Sequence, residues 1–256
     1  MTTAIMQPTY LPWLGYFDLI DQVNKFVFLD SVQLARRSWQ VRNRINTKQG
    51  ELFLTVPLQK TGHRDETLIC EAKLCETQNW KEKHLHSIEH AYKKTPYFTE
   101  VFPILLSVYQ LPFSSLANFN ISLIKVFSQK LGIKTDFYRS SELPLESESK
   151  KDHLLTELCK LSRTTAYLSP VGSFNYIEME SPGGAFIAND IELYYHNYSH
   201  PRYNQGSKDF VPYMCILDLL FNEGFKNSLA IIKKGRKHAY YFEQYRNIKA
   251  NQLVLH

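Results

Sequence analysis

Four short segments gather the residue types that bind or activate small polar molecules. The first is the run Gln7-Pro8-Thr9-Tyr10-Leu11-Pro12-Trp13-Leu14-Gly15-Tyr16. An amide and a phenol here, Gln7 and Tyr10, point to ligand contact, since a Gln beside a Pro at a strand end has little to do in packing. Gly15 lets a ligand approach the backbone closely. Trp13 and Tyr16 suit a ligand wall or a core equally well. The second segment is Asp30 with Gln33 three residues on, either a ligand-binding carboxylate or a turn cap. The third is Arg36-Arg37-Ser38-Trp39-Gln40-Val41-Arg42-Asn43-Arg44. Arg grips phosphates and carboxylates through its planar fork, so Arg37, Arg42 and Arg44, with Asn43, suggest anion binding. The fourth is His196 to Gln205, dense in donors and acceptors. His200 there can serve as a general base near neutral pH, and Tyr203 and Gln205 stand beside it. His200, Tyr10 and Asp30 are the catalytic candidates. Gln7, Trp13, Gly15, Gln33, Arg37, Arg42, Asn43, Arg44, Tyr203 and Gln205 are the candidate substrate contacts.

Several familiar chemistries find no support. The first loop is neither G-x-G-x-x-G nor a Walker A loop. Trp13-Leu14-Gly15-Tyr16 has the spacing of the H-x-G-H motif of the nucleotidylyltransferase superfamily, but aromatics replace both histidines, so plain adenylyl transfer is not expected. His196 and His200 are four apart, yet Pro201 argues against a helix and hence against zinc. No metal site is expected. Cys70, Cys75, Cys159 and Cys215 form no C-x-x-C pair. Cys215, between Met214 and Ile216, reads as a buried structural thiol. Asp218 and Asn222, one turn apart, read as braces for the fourth segment.

The elements that must position these residues follow from apolar periodicity. Thr2–Met6 is a short β-branched run, Gly15 to Val23 has helical spacing, and Lys25–Leu29 is again a strand. Strand, loop, helix and strand in about thirty residues make a βαβ unit and a parallel sheet. Ligands of such a sheet bind at the carboxyl ends of its strands, which gives the first loop priority. A helix N-terminus there also attracts phosphate. Ser38–Asn46 reads as a loop, Glu51–Pro57 as a strand, Thr61–Thr67 as a turn and Thr67–Leu74 as another strand. Trp80–Tyr92, Tyr97–Tyr109 and Leu116–Leu131 carry the helical period, an insertion or lid at about 78–132. Lys134–Tyr138, Ala166–Ser169 and Ile191–Tyr198 are strands, Asp152–Leu161 is a helix, and a late helix from Ile216 ends at Gly224. The expectation is a single α/β domain over residues 1–256. Its sheet is Rossmann-like and parallel, with a nucleotidylyltransferase-like variant left open, and its middle segment is all helical.

The chain of 256 residues is 44% hydrophobic and 21% charged, which permits a packed core and excludes global disorder. The 16 Tyr suit a polar small-molecule site or a Tyr-rich core alike. A net charge of +5 favours a phosphate-bearing small molecule, while no run reaches the length of a basic tail, so nucleic acid is disfavoured. The apolar stretches are too short to span a bilayer, and no signal peptide is recognisable. Scattered, unpaired cysteines suit a reducing compartment, so the chain reads as cytoplasmic. A homo-oligomer is left open.

Gln7-Pro8-x-Tyr10-Leu11-Pro12-Trp13-x-Gly15-Tyr16, Asp30-x-Val32-Gln33 and Arg42-Asn43-Arg44-Ile45 together resemble the WbqC-like protein family. So do Tyr167-Leu168-Ser169 with Gly172 and Tyr176, Pro201-x-Tyr203-x-Gln205, and Asp218-Leu219-Leu220-Phe221-Asn222-x-Gly224. Pro170 stands where the family pattern suggests glycine. The resemblance implies a bacterial protein of O-antigen or other surface polysaccharide synthesis. It also implies transfer of an aminoacyl group, such as glycyl, or another acyl group onto a nucleotide-linked amino sugar. That sugar nucleotide would be the ligand, and no further cofactor is implied. The alternative is a non-catalytic sugar-nucleotide-binding or scaffold protein of the same pathway.

Overall fold

The computed structural model describes residues 1–35, 38–59, 67–145, 149–206 and 209–254. The first strand, β1 (Thr2–Met6), is apolar on both sides. Ala4 enters one hydrophobic cluster and Ile5 the other, the pattern of a strand covered on both faces. After α1 (Leu14–Asp21), β2 (Lys25–Phe28) repeats this, with Phe26 and Phe28 on one side and Val27 on the other. β1 and β2 pair in parallel, Ile5 opposite Val27.

A hairpin follows, β3 (Arg42–Thr47) and β4 (Gly50–Thr55), paired antiparallel with Ile45 opposite Leu52. The whole of Ser38–Asn46 is expected as loop because the segment is so polar. It is instead largely strand: Asn43 and Ile45 alternate inward while Arg42, Arg44 and Asn46 face outward, and a period of two was masked by polar residues on both faces. Thr67–Leu74, expected as a strand, forms none. Its backbone is shared among separate neighbours, with Leu68 bridging Gln33 and Leu74 bridging Leu58. Residues 61–66 of the expected turn lie outside the described residues.

The middle helices are α2 (Trp80–Tyr92), α3 (Phe98–Tyr109) and α4 (Leu116–Leu131). α4 starts at Ser115, whose hydroxyl accepts from Asn118 N at 3.2 Å. All three bury their apolar stripes in the same cluster as β1, β2 and α1, so they cover one face of the sheet. β5 (Asp136–Arg139), α5 (Lys151–Leu161), β6 (Ala166–Ser169), α6 (Phe174–Ile177), α7 (Gly184–Ile187) and β7 (Glu192–Tyr195) follow. α5 and Phe186 of α7 belong to the second cluster, on the opposite face.

The chain ends with α8 (Ile216–Lys234), β8 (Tyr240–Tyr241) and α9 (Phe242–Val254). The helical stretch from Ile216 ends at Gly224 as expected, where the backbone leaves helical geometry with φ 69° and ψ 168°, and a second helical stretch continues to Lys234. A Cβ at Gly224 would lie 2.6 Å from the Tyr97 ring, so the break also lets α3 approach α8 closely.

The strand order of the main sheet is β5-β2-β1-β6-β7-β8, with β8 alone antiparallel. With helices on both faces, this is a Rossmann-like α/β architecture. Among the described residues, no helix is long and apolar enough to cross a membrane.

Candidate functional site

The chain runs outward from β1 through β2 to β5, then returns to β6 beside β1 and runs outward to β7 on the other side. The loops leaving β1 and β6 therefore part in opposite directions. Parallel sheets hold ligands in the crevice opened at such a reversal. A cavity of about 620 Å³ lies there, lined by Gln7, Thr9 and Gly15 after β1, Gly172 and Ser173 after β6, and His196 after β7. A smaller cavity of about 320 Å³ adjoins it, and the two share Met6, Thr9, Trp13, Tyr16 and Trp39. Both volumes lie within the range of small-molecule sites.

The wall of the larger cavity is fixed by hydrogen bonds from distant elements. Asn43 Nδ2 donates to the carbonyls of Tyr10 and Leu11 at 3.1 and 2.8 Å. Asn120 Nδ2 donates to Pro8 O at 3.0 Å and Gln40 O at 2.8 Å. Tyr16 Oη donates to Gln7 O at 3.0 Å, and Gln40 Nε2 donates to Gln7 Oε1. These bonds hold Leu11 at φ 44°, a left-handed conformation that a leucine rarely takes. Gly15 has a second task. A Cβ there would stand 2.3 Å from the Trp13 ring, so glycine lets the indole fold over the start of α1.

At this wall His196 meets a partner from behind it, a pair that sequence spacing does not join. His196 Nε2 lies 2.7 Å from Asp18 Oδ2. Asp18 is fully buried on α1, and its carboxylate also takes Arg236 Nε at 2.9 Å and Gln22 Nε2 at 2.6 Å. An acceptor so placed holds a proton on His196 Nε2, so that the neutral form of the ring carries its lone pair on Nδ1. No hydrogen bond occupies His196 Nδ1 among the described residues. The backbone N–H of His196 donates to Ser169 O at 2.8 Å, which ties the imidazole to the end of β6. One signal of Asp18 was present in the sequence: it is the lone carboxylate in the apolar run Leu14–Ile20.

The other expected site residues scatter. Tyr10 is fully buried, with Oη 2.9 Å from His84 Nδ1 and hydrogen-bonded to Tyr109 Oη, and it lines neither cavity. Asp30 is also fully buried. It accepts Arg139 Nε at 2.9 Å, Ser141 N at 3.0 Å and Ser141 Oγ at 2.9 Å, so it clasps the end of β5 to β2. Gln33 is exposed and away from both cavities. Arg42 lies 5.1 Å over the Phe53 ring, and Arg44 pairs with Glu51 at 2.7 Å while lining the smaller cavity. Arg37 lies outside the described residues.

Tyr203 and Gln205 form a bracket with Asp218, which accepts Tyr203 Oη and Gln205 Nε2 at 2.8 Å each and Tyr92 Oη at 3.0 Å. Burial still pushes the Asp218 carboxyl above its ordinary value. His200 stacks on Trp13 at 6.2 Å and 12°. Its Nδ1 donates to Pro201 O at 2.9 Å, and its Nε2 is buried without a hydrogen-bond partner among the described residues. Burial lowers its basicity, and it is not part of either cavity wall. The Cys215 thiol is pushed up to about 12 by burial, too high for a nucleophile near neutral pH. No group of three or more metal-ligating side chains occurs among the described residues.

Fold and cavity together define a Rossmann-like α/β protein with its crevice at the switch point of a parallel sheet. The chain belongs to the WbqC-like protein family, whose model matches residues 7–230. It is 32% identical over 223 residues to the uncharacterized protein Rv1507c of Mycobacterium tuberculosis (strain ATCC 25618 / H37Rv), which covers 86% of this chain and 93% of that protein. No solved structure matches the chain significantly. Both halves of the His196–Asp18 pair fall inside the span matched to the family.

Proposed function

We propose that this chain is a bacterial, cytoplasmic transferase of surface-polysaccharide synthesis that places an aminoacyl or other acyl group on a nucleotide-linked amino sugar. The observation that carries the reading is the His196–Asp18 pair at a cavity of about 620 Å³ at the sheet's switch point. The family name supports the pathway, and the pair supports the reaction class. In the transfer step, the sugar amine or hydroxyl attacks the acyl carbonyl carbon of an activated ester. His196 Nδ1 takes the proton of the attacking group as the new bond forms. The bond to the carrier breaks, its electron pair stays with the carrier, and the proton passes from His196 to that leaving group. Asp18 holds the ring and steadies the imidazolium. Gln7, Thr9, Ser38 and Ser173 offer polar groups to the sugar.

The test is calorimetry with UDP- and dTDP-linked amino sugars, followed by mass detection of acyl transfer from an aminoacyl thioester. His196→Gln is expected to bind the sugar nucleotide as wild type does and to lose transfer. Absence of binding by every sugar nucleotide overturns the reading, and unchanged transfer by His196→Gln removes the assigned base. One observation favours a non-catalytic binding protein instead. Arg236 joins Asp18 on α1 to the end of α8, and Lys233 lies 3.1 Å from Asp21 Oδ2, so the same carboxylates brace two helices. In that case His196→Gln lowers stability and leaves polymer production intact.

A further inference from the structure

We infer that the smaller cavity is a nucleobase subsite, in which a planar heteroaromatic ring lies against Trp39 and Tyr213 while the sugar end of the same ligand reaches His196. This rests on the sugar-nucleotide reading above and assigns the two halves of that ligand to the two cavities.

Trp39 is 52% exposed and Tyr213 is 53% exposed, yet both line the smaller cavity. Large aromatic rings left open at a concave site are the usual stacking surface for a base. Each ring is held in place by its neighbours. Trp39 stacks with Phe53 at 6.4 Å and 26°, and the Arg42 guanidinium lies 5.1 Å over the Phe53 ring. Tyr213 lies 5.6 Å from Trp13 and 5.0 Å from His200. His200 thus packs against both Trp13 and Tyr213, which gives its imidazole a positioning task. Tyr213 also has φ 60°, a strained conformation for a non-glycine residue, and such strain gathers at ligand sites.

A polar group completes the subsite. Arg44 lines the same cavity, its Nη1 is engaged by Glu51 at 2.7 Å, and its Nε is buried with no hydrogen-bond partner among the described residues. That N–H suits a ring carbonyl or ring nitrogen of a base. The rest of the lining includes Pro12 and Met6, as a flat apolar ring requires. The shared wall of Thr9, Trp13 and Tyr16 places the larger cavity and His196 next to the base, where the linked sugar would lie.

The experiment titrates wild type, Trp39→Ala and Tyr213→Ala with four probes. These are a UDP-amino sugar, the corresponding amino-sugar 1-phosphate without base, UMP and dTMP. Both substituted residues are exposed, and circular dichroism confirms folding. Each variant is expected to bind the sugar nucleotide and the mononucleotides about tenfold more weakly, since one aromatic face supplies much of a stacked base's affinity. Tyr213→Ala, which lies outside the larger cavity, is expected to bind the base-free sugar phosphate as wild type does. Equal sugar-nucleotide affinity in all three proteins overturns the subsite while the transferase reading stands. Mononucleotide binding that depends on Trp39, without binding of any amino-sugar derivative beyond it, upholds the subsite and overturns the transferase reading. Absence of binding by all four probes overturns both.

Discussion

Replacing Gly15 with alanine tests the claim that this glycine exists to seat Trp13. The new Cβ would stand 2.3, 2.4 and 2.8 Å from three atoms of the Trp13 ring, where ordinary contact begins at 3.4 Å. The indole must retreat by roughly 1 Å, and a close-packed interior resists such shifts. Overpacking of this kind costs about 1–3 kcal/mol. Alanine recovers up to about 1 kcal/mol through helix propensity at the start of α1. With full recovery the net loss is about 0–2 kcal/mol, which for a chain of this size lowers Tm by up to about 8 °C. The moved ring belongs to both cavities and supports the His200 stack, so ligand affinity should fall with stability. Thermal unfolding followed by tryptophan emission reads both effects. Gly172→Ala is the control, because a Cβ there meets nothing within 4 Å. If Gly15→Ala melts at or above wild type with an unchanged emission maximum, the seating argument is wrong.

Two further predictions concern the framework. Burial pushes the His84 imidazole from its ordinary 6.5 down to about 4. The folded state therefore holds fewer protons than the unfolded chain between these values. Stability from this group is complete above pH 6.5 and is lost as pH falls toward about 4, roughly 3 kcal/mol in all. Denaturant titrations across that window should show a steeper decline for wild type than for His84→Gln, and matching slopes would count against it. Asn43→Ala leaves the carbonyls of Tyr10 and Leu11 without their donor, an expected loss of about 1–3 kcal/mol. A variant that melts within about 1 °C of wild type would mean that those carbonyls find other partners.

The abundance of tyrosine had two readings, and the fold shows both. Tyr10, Tyr109, Tyr167 and Tyr195 are among the largest fully buried side chains, whereas Tyr16, Tyr176, Tyr198 and Tyr213 border the cavities. Side-chain chemistry alone does not sort them, because a phenol satisfies its hydroxyl in a core as readily as at a ligand. Tyr10 does so through His84 and Tyr109, 74 and 99 residues away.

Local sequence determined the β1–α1–β2 unit, the three middle helices and the position of the first loop at a strand's carboxyl end. Each depends on a period or a turn signal readable within about twenty residues. The family resemblance was likewise carried by short motifs. Only tertiary structure decided which polar side chains act together. Asp18 meets His196 across 178 residues, and Asp30 meets Arg139 across 109. Sequence spacing holds no record of these distances, because strand order, and not chain order, sets which loop ends face each other. The same cause turned Tyr10 into the core and Trp39 toward the cavity, although Tyr10 lies in the loop that the sequence favoured for a ligand.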